Sequence, residues 1–166
     1  LDIDAQRGGQ KIHAYEGILY TESSSKAVYA TYEYTYPMQV AKLATLIEAD
    51  LVSKGIEKPL YGFSVIDSKK AILELSSHEF QNLYGWSTER AMTFTKVTTG
   101  KSPMVAIRVT NLKPAAVVLH GLRGNQVDPL AKKMAEIDRI PLLATTMDID
   151  ELIEKLKKYS QYHVRE

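Results

Sequence analysis

Residues 116–156 read AVVLHGLRGNQVDPLAKKMAEIDRIPLLATTMDIDELIEKL, and their pattern indicates the class of fold. Two short apolar runs, residues 116–120 and residues 141–145, have the length and composition of buried strands. Asp128 and Asp148 each precede an apolar repeat at helical spacing, as N-cap residues do. A strand, a helix and a second strand at this spacing place two parallel strands in one sheet. The sequence therefore predicts an α/β fold that ends in a strand–helix–strand–helix unit.

The residues before this unit predict a mixed sheet with antiparallel strands towards the N-terminus. Alternation and β-forming residues indicate a strand over residues 28–36. Its tyrosines fit either a sheet face packed on a helix or a stacking platform for a flat ligand. We expect residues 18–20 to pair with this strand and residues 37–53 to form one helix. Residues 92–97 and 104–109 predict a β-hairpin.

The length of 166 residues suits one α/β domain. Residues 1–36 are expected to form a strand or hairpin extension, and residues 159–166 a frayed tail. Local signals assign three further segments: a late helical turn over residues 1–7, a buried strand over residues 60–66 and helices within residues 67–85.

Composition excludes several classes of protein. The chain has no cysteine, which excludes a disulfide framework, a thiolate zinc site and a cysteine nucleophile and fits either a reducing or a hot cytoplasm. Its net charge of +1 lacks the basic excess of a free-standing nucleic-acid binder. No apolar run approaches the roughly 20 residues that a membrane helix needs. We therefore expect a cytoplasmic protein that does not enter a membrane.

No set of catalytic residues is recognisable in the sequence. The four histidines lack metal-ligand spacing, and the GxSxG motif of a serine nucleophile is absent. Gly100-Lys101-Ser102 resembles the end of a P-loop, but Thr95 stands where its first glycine should be and the following run reads as extended. We assign no catalytic residue, no metal and no cofactor. A small anion held at Lys101 and Ser102 is the alternative to a plain hairpin turn.

The loop after the strand at residues 116–120 is the preferred ligand site. Its candidate residues are His120, Gly121, Arg123, Gly124 and Asn125. They lie at the carboxyl end of a parallel strand and before a helix, where α/β proteins bind ligands. A plain connector loop is the alternative. Arg90 is a further candidate, which either points into a pocket or is solvated or paired.

Four strings taken together resemble a known family, and they lie at residues 62–68, 88–91, 100–105 and 113–121. They resemble the C-terminal domain of archaeal transcriptional regulators whose N-terminal part is a helix-turn-helix of the lambda-repressor (XRE) type. The similarity runs from about residue 62 to residue 156, and residues 4–9 resemble the junction after the DNA-binding part. The resemblance implies a regulatory role and DNA binding by the whole protein, and it assigns no ligand residue.

Two functions from different classes follow. The first is an effector-sensing and dimerisation domain of a transcriptional regulator, which forms homodimers and binds a small anionic effector. Residues 38–54 lack a convincing recognition helix, so DNA contact is expected only through a part missing from this chain. The second is a small enzyme or binding protein for a phosphorylated or anionic metabolite, using Lys101, Arg123 and His120, which must then converge. Oligomerisation without any ligand is a third reading.

Overall fold

The structure is a computed structural model that describes residues 3–7, 10–15, 18–21, 28–67, 89–109 and 113–163. The strands are β1 Ile3–Arg7, β2 Gln10–Tyr15, β3 Ile18–Thr21, β4 Val28–Met38, β5 Asp50–Ser53, β6 Leu60–Asp67, β7 Arg90–Thr95, β8 Ala116–His120 and β9 Leu142–Thr145. The helices are α1 Val40–Leu46, α2 Lys101–Val109, α3 Pro129–Asp138 and α4 Ile149–His163.

Six of these strands form one mixed sheet in the order β4-β6-β7-β8-β9-β5. Strands β6 to β9 are parallel to one another, while β4 and β5 pair antiparallel at the two edges. Strands β1, β2 and β3 form a separate antiparallel sheet. The predicted α/β class with a mixed sheet is confirmed.

The large sheet carries helices on both faces, and each face has its own apolar core. Successive side chains of a strand point to opposite faces. Leu119 of β8 accordingly packs in one cluster with Met104 of α2 and Ala131 of α3. Its neighbour Val118 packs in the other cluster, with residues of α1 and α4 such as Leu152. Burial on both faces explains why the parallel strands read as continuous apolar runs.

The terminal strand–helix–strand–helix unit is present as predicted. The Asp128 carboxylate accepts the Leu130 N–H at 2.8 Å and caps α3. The Asp148 carboxylate accepts the Asp150 and Glu151 N–H groups at 3.2 and 3.3 Å and caps α4. Strands β8 and β9 pair in parallel across the α3 crossover. Helix α4 continues to His163, into the segment from residue 159 that the sequence assigned to the tail.

The prediction of one helix over residues 37–53 is wrong. Strand β4 runs through Met38, α1 spans only Val40–Leu46, and Asp50–Ser53 forms the edge strand β5. Glu48 takes a left-handed backbone conformation, with φ at 53°, and turns the chain away from the helix axis. The residues that follow then complete the sheet by pairing with β9, which outweighs the helical spacing of their apolar side chains.

The predicted β-hairpin of residues 92–97 and 104–109 is also wrong in its second half. Residues 104–109 lie in α2, and β7 pairs in parallel with β6 and β8. Met104 and Ile107 are buried while Val105 and Val109 are exposed, so the run is an amphipathic helix whose packing on the sheet overrides the β-preference of its valines. The loop before Lys101 therefore does connect a strand to a helix, which removes one of the two objections to a P-loop. The absent glycine at Thr95 remains.

Two predictions near the N-terminus are wrong as well. Ile3–Arg7 is a strand rather than a helix end, and β3 pairs with β2 rather than with β4. Strand β4 pairs instead with β6, where Tyr32 lies opposite Phe63 and their ring centroids are 5.3 Å apart. An aromatic cross-strand pair of this kind favours that register. The predicted buried strand of residues 60–66 is confirmed as β6, and the predicted helices after it lie outside the described residues.

The tyrosines of β4 form a sheet face that packs on helix α4. Tyr34 is buried, and its hydroxyl donates to the Leu156 carbonyl at 3.2 Å. The ring of Tyr159 meets the ring of Tyr34 edge-on, with centroids 5.2 Å apart. Tyr36, in contrast, is 49% exposed. Tyr34, in the middle of the tyrosine series of β4, therefore belongs to the apolar core, in agreement with the packing interpretation.

Candidate functional site

Three loops lie together at the carboxyl edge of the parallel strands. They are residues 96–100 after β7, residues 121–128 after β8 and residues 146–148 after β9. The Asp128 N–H donates to the Thr99 carbonyl and joins the first two loops, while the Gly121 N–H donates to the carbonyl of Thr145, the last residue of β9, both at 2.8 Å. The two loops for which the sequence raised anion binding are therefore neighbours in space.

His120 ends β8 and links the loops on either side of it. Its carbonyl accepts the Val97 N–H at 2.8 Å, and its Nδ1 accepts the Lys96 N–H at 3.2 Å. Burial, helped by the charge of Lys96, lowers the pKa of His120 below its usual value, and together they outweigh a hydrogen bond with the Met147 backbone and the charge of Asp148, which raise it. The ring is therefore neutral at pH 7, with an unprotonated Nδ1.

The chain after His120 turns sharply and is then anchored. Gly121 has a φ of 109°, a conformation that favours glycine, and a Cβ there would lie 3.2 Å from the Val97 carbonyl oxygen. Leu122 is buried in the core. These two features fix the position of the residues that follow, Arg123 and Gly124, beside strand β5.

Strand β5 places a carboxylate against this loop. Arg123 Nη2 donates to Asp50 Oδ1 at 2.8 Å, and the Gly124 N–H donates to Asp50 Oδ2 at 2.8 Å. The Gln126 side-chain carbonyl accepts the Arg123 N–H at 2.7 Å and holds the loop backbone in this shape. We call Asp50, Arg123 and Gly124 the Asp50 clasp. Both oxygens of one carboxylate are thus held by two donors of a single loop.

An open cleft of about 490 Å³ lies beside the Asp50 clasp. Its lining residues are Asp50, Leu51, Val52, Arg123, Gly124, Asn125 and Lys132. Leu51 is 51% exposed and gives the cleft an apolar wall. The side chains of Asp50 and Arg123 are 40% and 48% exposed, so a molecule in the cleft reaches both charges. The cleft suits a small charged or polar molecule with an apolar part.

Lys101 and Ser102 begin α2 at the same edge of the sheet but do not line this cleft. Both side chains are exposed, and the Lys101 N–H donates to Thr99 Oγ1 at 3.3 Å. Gly100 precedes them with a φ of 82°, and a Cβ there would collide with the Leu119 side chain. This loop therefore packs closely on β8 and presents its two candidate side chains to solvent.

Arg90 lies at the opposite edge of the sheet, since it begins β7 whereas His120 ends β8. Its side chain is buried and forms an ion pair with Glu33, with Nη2 and Oε1 2.8 Å apart. Its Nη1 also donates to Thr31 Oγ1 at 3.0 Å and to the Tyr32 carbonyl at 3.2 Å. The structure therefore does not bring Arg90 together with the other candidate residues, and its described contacts belong to the sheet.

The residues that form the other wall of the cleft were not predicted from the sequence. Asp50 and Arg123 are 73 positions apart, so no local motif connects them. Asp50, Leu51 and Val52 were assigned to a helix, which hid their place at the sheet edge. A usable signal was present in Leu51-Val52-Ser53 before Gly55, because a short apolar run that a glycine follows also fits a strand.

Among the residues that the structure describes, no group of three or more His, Asp or Glu is placed to hold a metal ion. None of the described helices is both long and apolar enough to cross a membrane. A smaller hollow of about 220 Å³ lies at the amino edge of the parallel strands, where Lys58, Lys113, Asp138 and Arg139 provide its charges.

The fold and the cleft define an α/β protein with a mixed six-stranded sheet and an open, charged cleft at the carboxyl edge. No protein-family model matches the chain. It is 45% identical over 159 residues to the uncharacterized HTH-type transcriptional regulator MJ1545 of Methanocaldococcus jannaschii, a match that covers 95% of this chain and 66% of that protein. It is also 45% identical over 158 residues to an uncharacterized HTH-type transcriptional regulator of Archaeoglobus fulgidus, covering 95% of this chain and 68% of that protein.

The chain belongs to this family of archaeal HTH-type transcriptional regulators, and it spans about two thirds of the length of each of these relatives. This family agrees with the archaeal regulators that the four sequence strings resemble. Residues 38–54 hold the single helix α1 followed by strand β5, so this segment is not a helix-turn-helix.

Proposed function

We propose that this chain is the effector-sensing and dimerisation part of an archaeal HTH-type transcriptional regulator, whose DNA contacts are made outside the described segments. The family relationship supports a regulatory role. The net charge of +1 argues against DNA binding by these residues alone, because affinity for DNA depends on phosphate neutralisation. A regulator of this kind needs a place for a signal molecule and a surface for its second copy.

The observation that carries the sensing proposal is the cleft between β5 and the loop after β8. It lies at the carboxyl edge of parallel strands, which is where open α/β sheets bind ligands. It combines an apolar wall at Leu51 with charges from Asp50, Arg123 and Lys132. The effector is proposed to contact Asn125 and Lys132 directly, because their polar side chains border the cleft outside the clasp.

Dimerisation is supported by the long edge strand β4. It spans Val28–Met38, and within the described residues only β6 pairs with it. The outer backbone groups of such a strand are a template for another strand. A second copy related by a two-fold axis supplies its own β4 in antiparallel orientation, which joins two six-stranded sheets into one. Two-fold dimers also match the symmetry of regulator operators.

The alternative, a small enzyme acting on an anionic metabolite, is not favoured. His120 and Arg123 lie at the same edge as Lys101, but of these three residues only Arg123 lines the cleft, so they do not converge on one pocket. Nδ1 of His120 already accepts the Lys96 N–H. No described group is left beside them in the arrangement of a nucleophile and its base.

Sensing is tested by thermal-shift screening of the purified chain with a library of charged metabolites. A ligand at 100 times its dissociation constant stabilises the native state by about 2.7 kcal/mol, which for a chain of this size raises the melting temperature by roughly 5–10 °C. We expect Lys132→Glu to abolish the shift. The matched control is Lys133→Glu, which makes the same change of charge at an exposed neighbour that does not line the cleft.

Failure of the whole library to raise the melting temperature would contradict the sensing proposal. A ligand whose shift survives Lys132→Glu, or is lost equally in Lys133→Glu, would contradict the location of the site. Either result leaves the family assignment unaffected.

Dimerisation is tested by light scattering and by site-specific cross-linking. The sequence contains no cysteine, so Thr35→Cys introduces a unique thiol on the exposed part of β4. In an antiparallel pair of β4 strands, residues near the two-fold axis face their own copies and form a disulfide on oxidation. Lys133→Cys on α3 is the control and should remain unlinked. A strict monomer at high concentration would end the dimer proposal.

A further inference from the structure

The Asp50 clasp has the chemistry of an anion-binding site. A guanidinium and a backbone N–H group approach the two oxygens of one carboxylate, each at 2.8 Å. Charge-assisted donors in this arrangement bind carboxylates and phosphates in general, whatever molecule carries them. The residue at position 124 must be small, since a Cβ there would lie 2.9 Å from the Asp50 Cβ and 3.2 Å from its Oδ2. The loop is therefore shaped around an acidic group.

The acidic group is the carboxylate of Asp50, and it lies at the surface. The side chains of Asp50 and Arg123 are 40% and 48% exposed and border the cleft. Solvent-exposed ion pairs contribute little to stability. A dissolved carboxylate or phosphate that reaches the cleft thus competes with Asp50 for the same donors. Lys132, also on the cleft wall, adds a second positive charge that favours such a competitor.

We propose that Arg123 and the Gly124 N–H form a carboxylate- or phosphate-binding subsite of the effector cleft, and that Asp50 occupies this subsite until the effector displaces it. The inference rests on the proposed sensing function and names the chemistry and the regulation of its site. Displacement acts on strand β5, because Asp50 is its first residue and pairs with Ala144 of β9. The effector thereby alters the antiparallel edge of the sheet and the connection to α1.

Asp50→Asn tests the competition, because it keeps the size of the side chain and removes the charge that competes. Inorganic phosphate and acetate are titrated at constant ionic strength, and the Gly124 amide is followed by NMR. We expect Asp50→Asn to bind phosphate or acetate about tenfold more tightly than the unaltered chain, which corresponds to about 1.4 kcal/mol. The anion that gains more identifies the source of the acidic group. Adding Arg123→Gln should remove the gain.

Glu48→Gln is the matched control, since it removes the same charge from an exposed residue two positions earlier. It should leave both affinities unchanged. Asp50→Ser replaces Asp50→Asn if the latter does not fold, as judged by circular dichroism. A folded Asp50 variant that binds neither anion more tightly than the unaltered chain overturns the competition, and Asp50 is then only a structural link.

The experiments distinguish failure of the sensing proposal from failure of the proposed displacement of Asp50. If the Asp50 variants gain no affinity while a metabolite still binds through Lys132, sensing stands and the displacement of Asp50 is wrong. If the variants gain affinity at Gly124 while no metabolite binds the unaltered chain, the anion subsite stands and the sensing function is wrong.

Discussion

Arg90 and Glu33 form an ion pair across a strand that lies between them. Arg90 is on β7 and Glu33 on β4, and Gly62 of β6 is the register partner of both. Nη2 of Arg90 and Oε1 of Glu33 are 2.8 Å apart. Because Gly62 has no side chain, the guanidinium passes over β6 and also reaches the Thr31 hydroxyl. The pair fastens the edge strand β4 to the centre of the sheet.

Arg90→Ala should therefore destabilise the fold more than removal of its acidic partner does. The change leaves buried acceptors at Thr31 and Phe63 without this donor, and we expect the free energy of unfolding to fall by about 2–4 kcal/mol. Glu33 is 59% exposed, so Glu33→Gln should cost less than about 1 kcal/mol. Urea denaturation measures both. Equal losses would mean that the ion pair, rather than the buried hydrogen bonds, carries the stabilisation.

Gly62→Ala should destabilise the chain by overpacking. A Cβ at this position would lie 2.5 Å from the Tyr32 carbonyl oxygen and 3.1 Å from Nη1 of Arg90. Overpacking of this kind costs about 1–3 kcal/mol in the free energy of unfolding. The midpoint of chemical denaturation reports the loss, and an unchanged midpoint would show that β4 is not held closely over Gly62.

Tyr34→Phe should cost about 1 kcal/mol, the typical worth of one buried hydrogen bond. Its hydroxyl donates to the Leu156 carbonyl, and burial raises the pKa of Tyr34 well above its usual range, so the hydroxyl keeps its proton. Tyr36→Phe is the control, because the side chain of Tyr36 is 49% exposed and the change should be neutral. Thermal or urea unfolding measures the stability of the two variants. Equal stability of both would contradict a stabilising hydrogen bond between Tyr34 of β4 and Leu156 of α4.

His120 should make the stability of the chain depend on pH. Its pKa in the folded state is lowered, chiefly by burial, so the unfolded state takes up the proton first as the pH falls. The stabilisation is complete above the unfolded pKa of about 6.5 and is lost as the pH falls from there towards the folded pKa.

His120→Asn removes this dependence, because its Oδ1 can accept the Lys96 N–H in place of Nδ1 and carries no charge. When the pH is lowered from about 7.5 to about 5.5, we expect the free energy of unfolding to fall further for the unaltered chain than for the variant. Urea denaturation at the two pH values measures the difference. Parallel losses would show that His120 titrates alike in both states.

The sequence predicted the last third of the fold correctly because local signals there agree with one another. Asp128 and Asp148 cap their helices, and the strands β8 and β9 are apolar throughout. The segment that became α2 gave conflicting signals, since Val105 and Val109 favour a strand while Met104 and Ile107 follow helical spacing. Contact with the sheet decided between them, and that contact is not visible in the local sequence.

The candidate site was located only in part, for a related reason. The glycines and charge of the loop after β8 were readable, and so was its place at the carboxyl edge. Its partner Asp50 was not, because the contact with Arg123 depends on where β5 joins the sheet. Arg90 was predicted either to point into a pocket or to be solvated or paired, and its pairing with Glu33 on β4 depends on the register of three strands.

The proposal that the effector binds in the cleft is tested most directly by chemical-shift mapping. The isotope-labelled chain is titrated with a ligand from the thermal-shift screen. We expect the largest changes at the amides of Asp50, Arg123, Gly124 and Asn125. Changes that cluster instead at Lys58, Lys113 and Arg139, around the hollow at the amino edge, would contradict the assignment of the cleft.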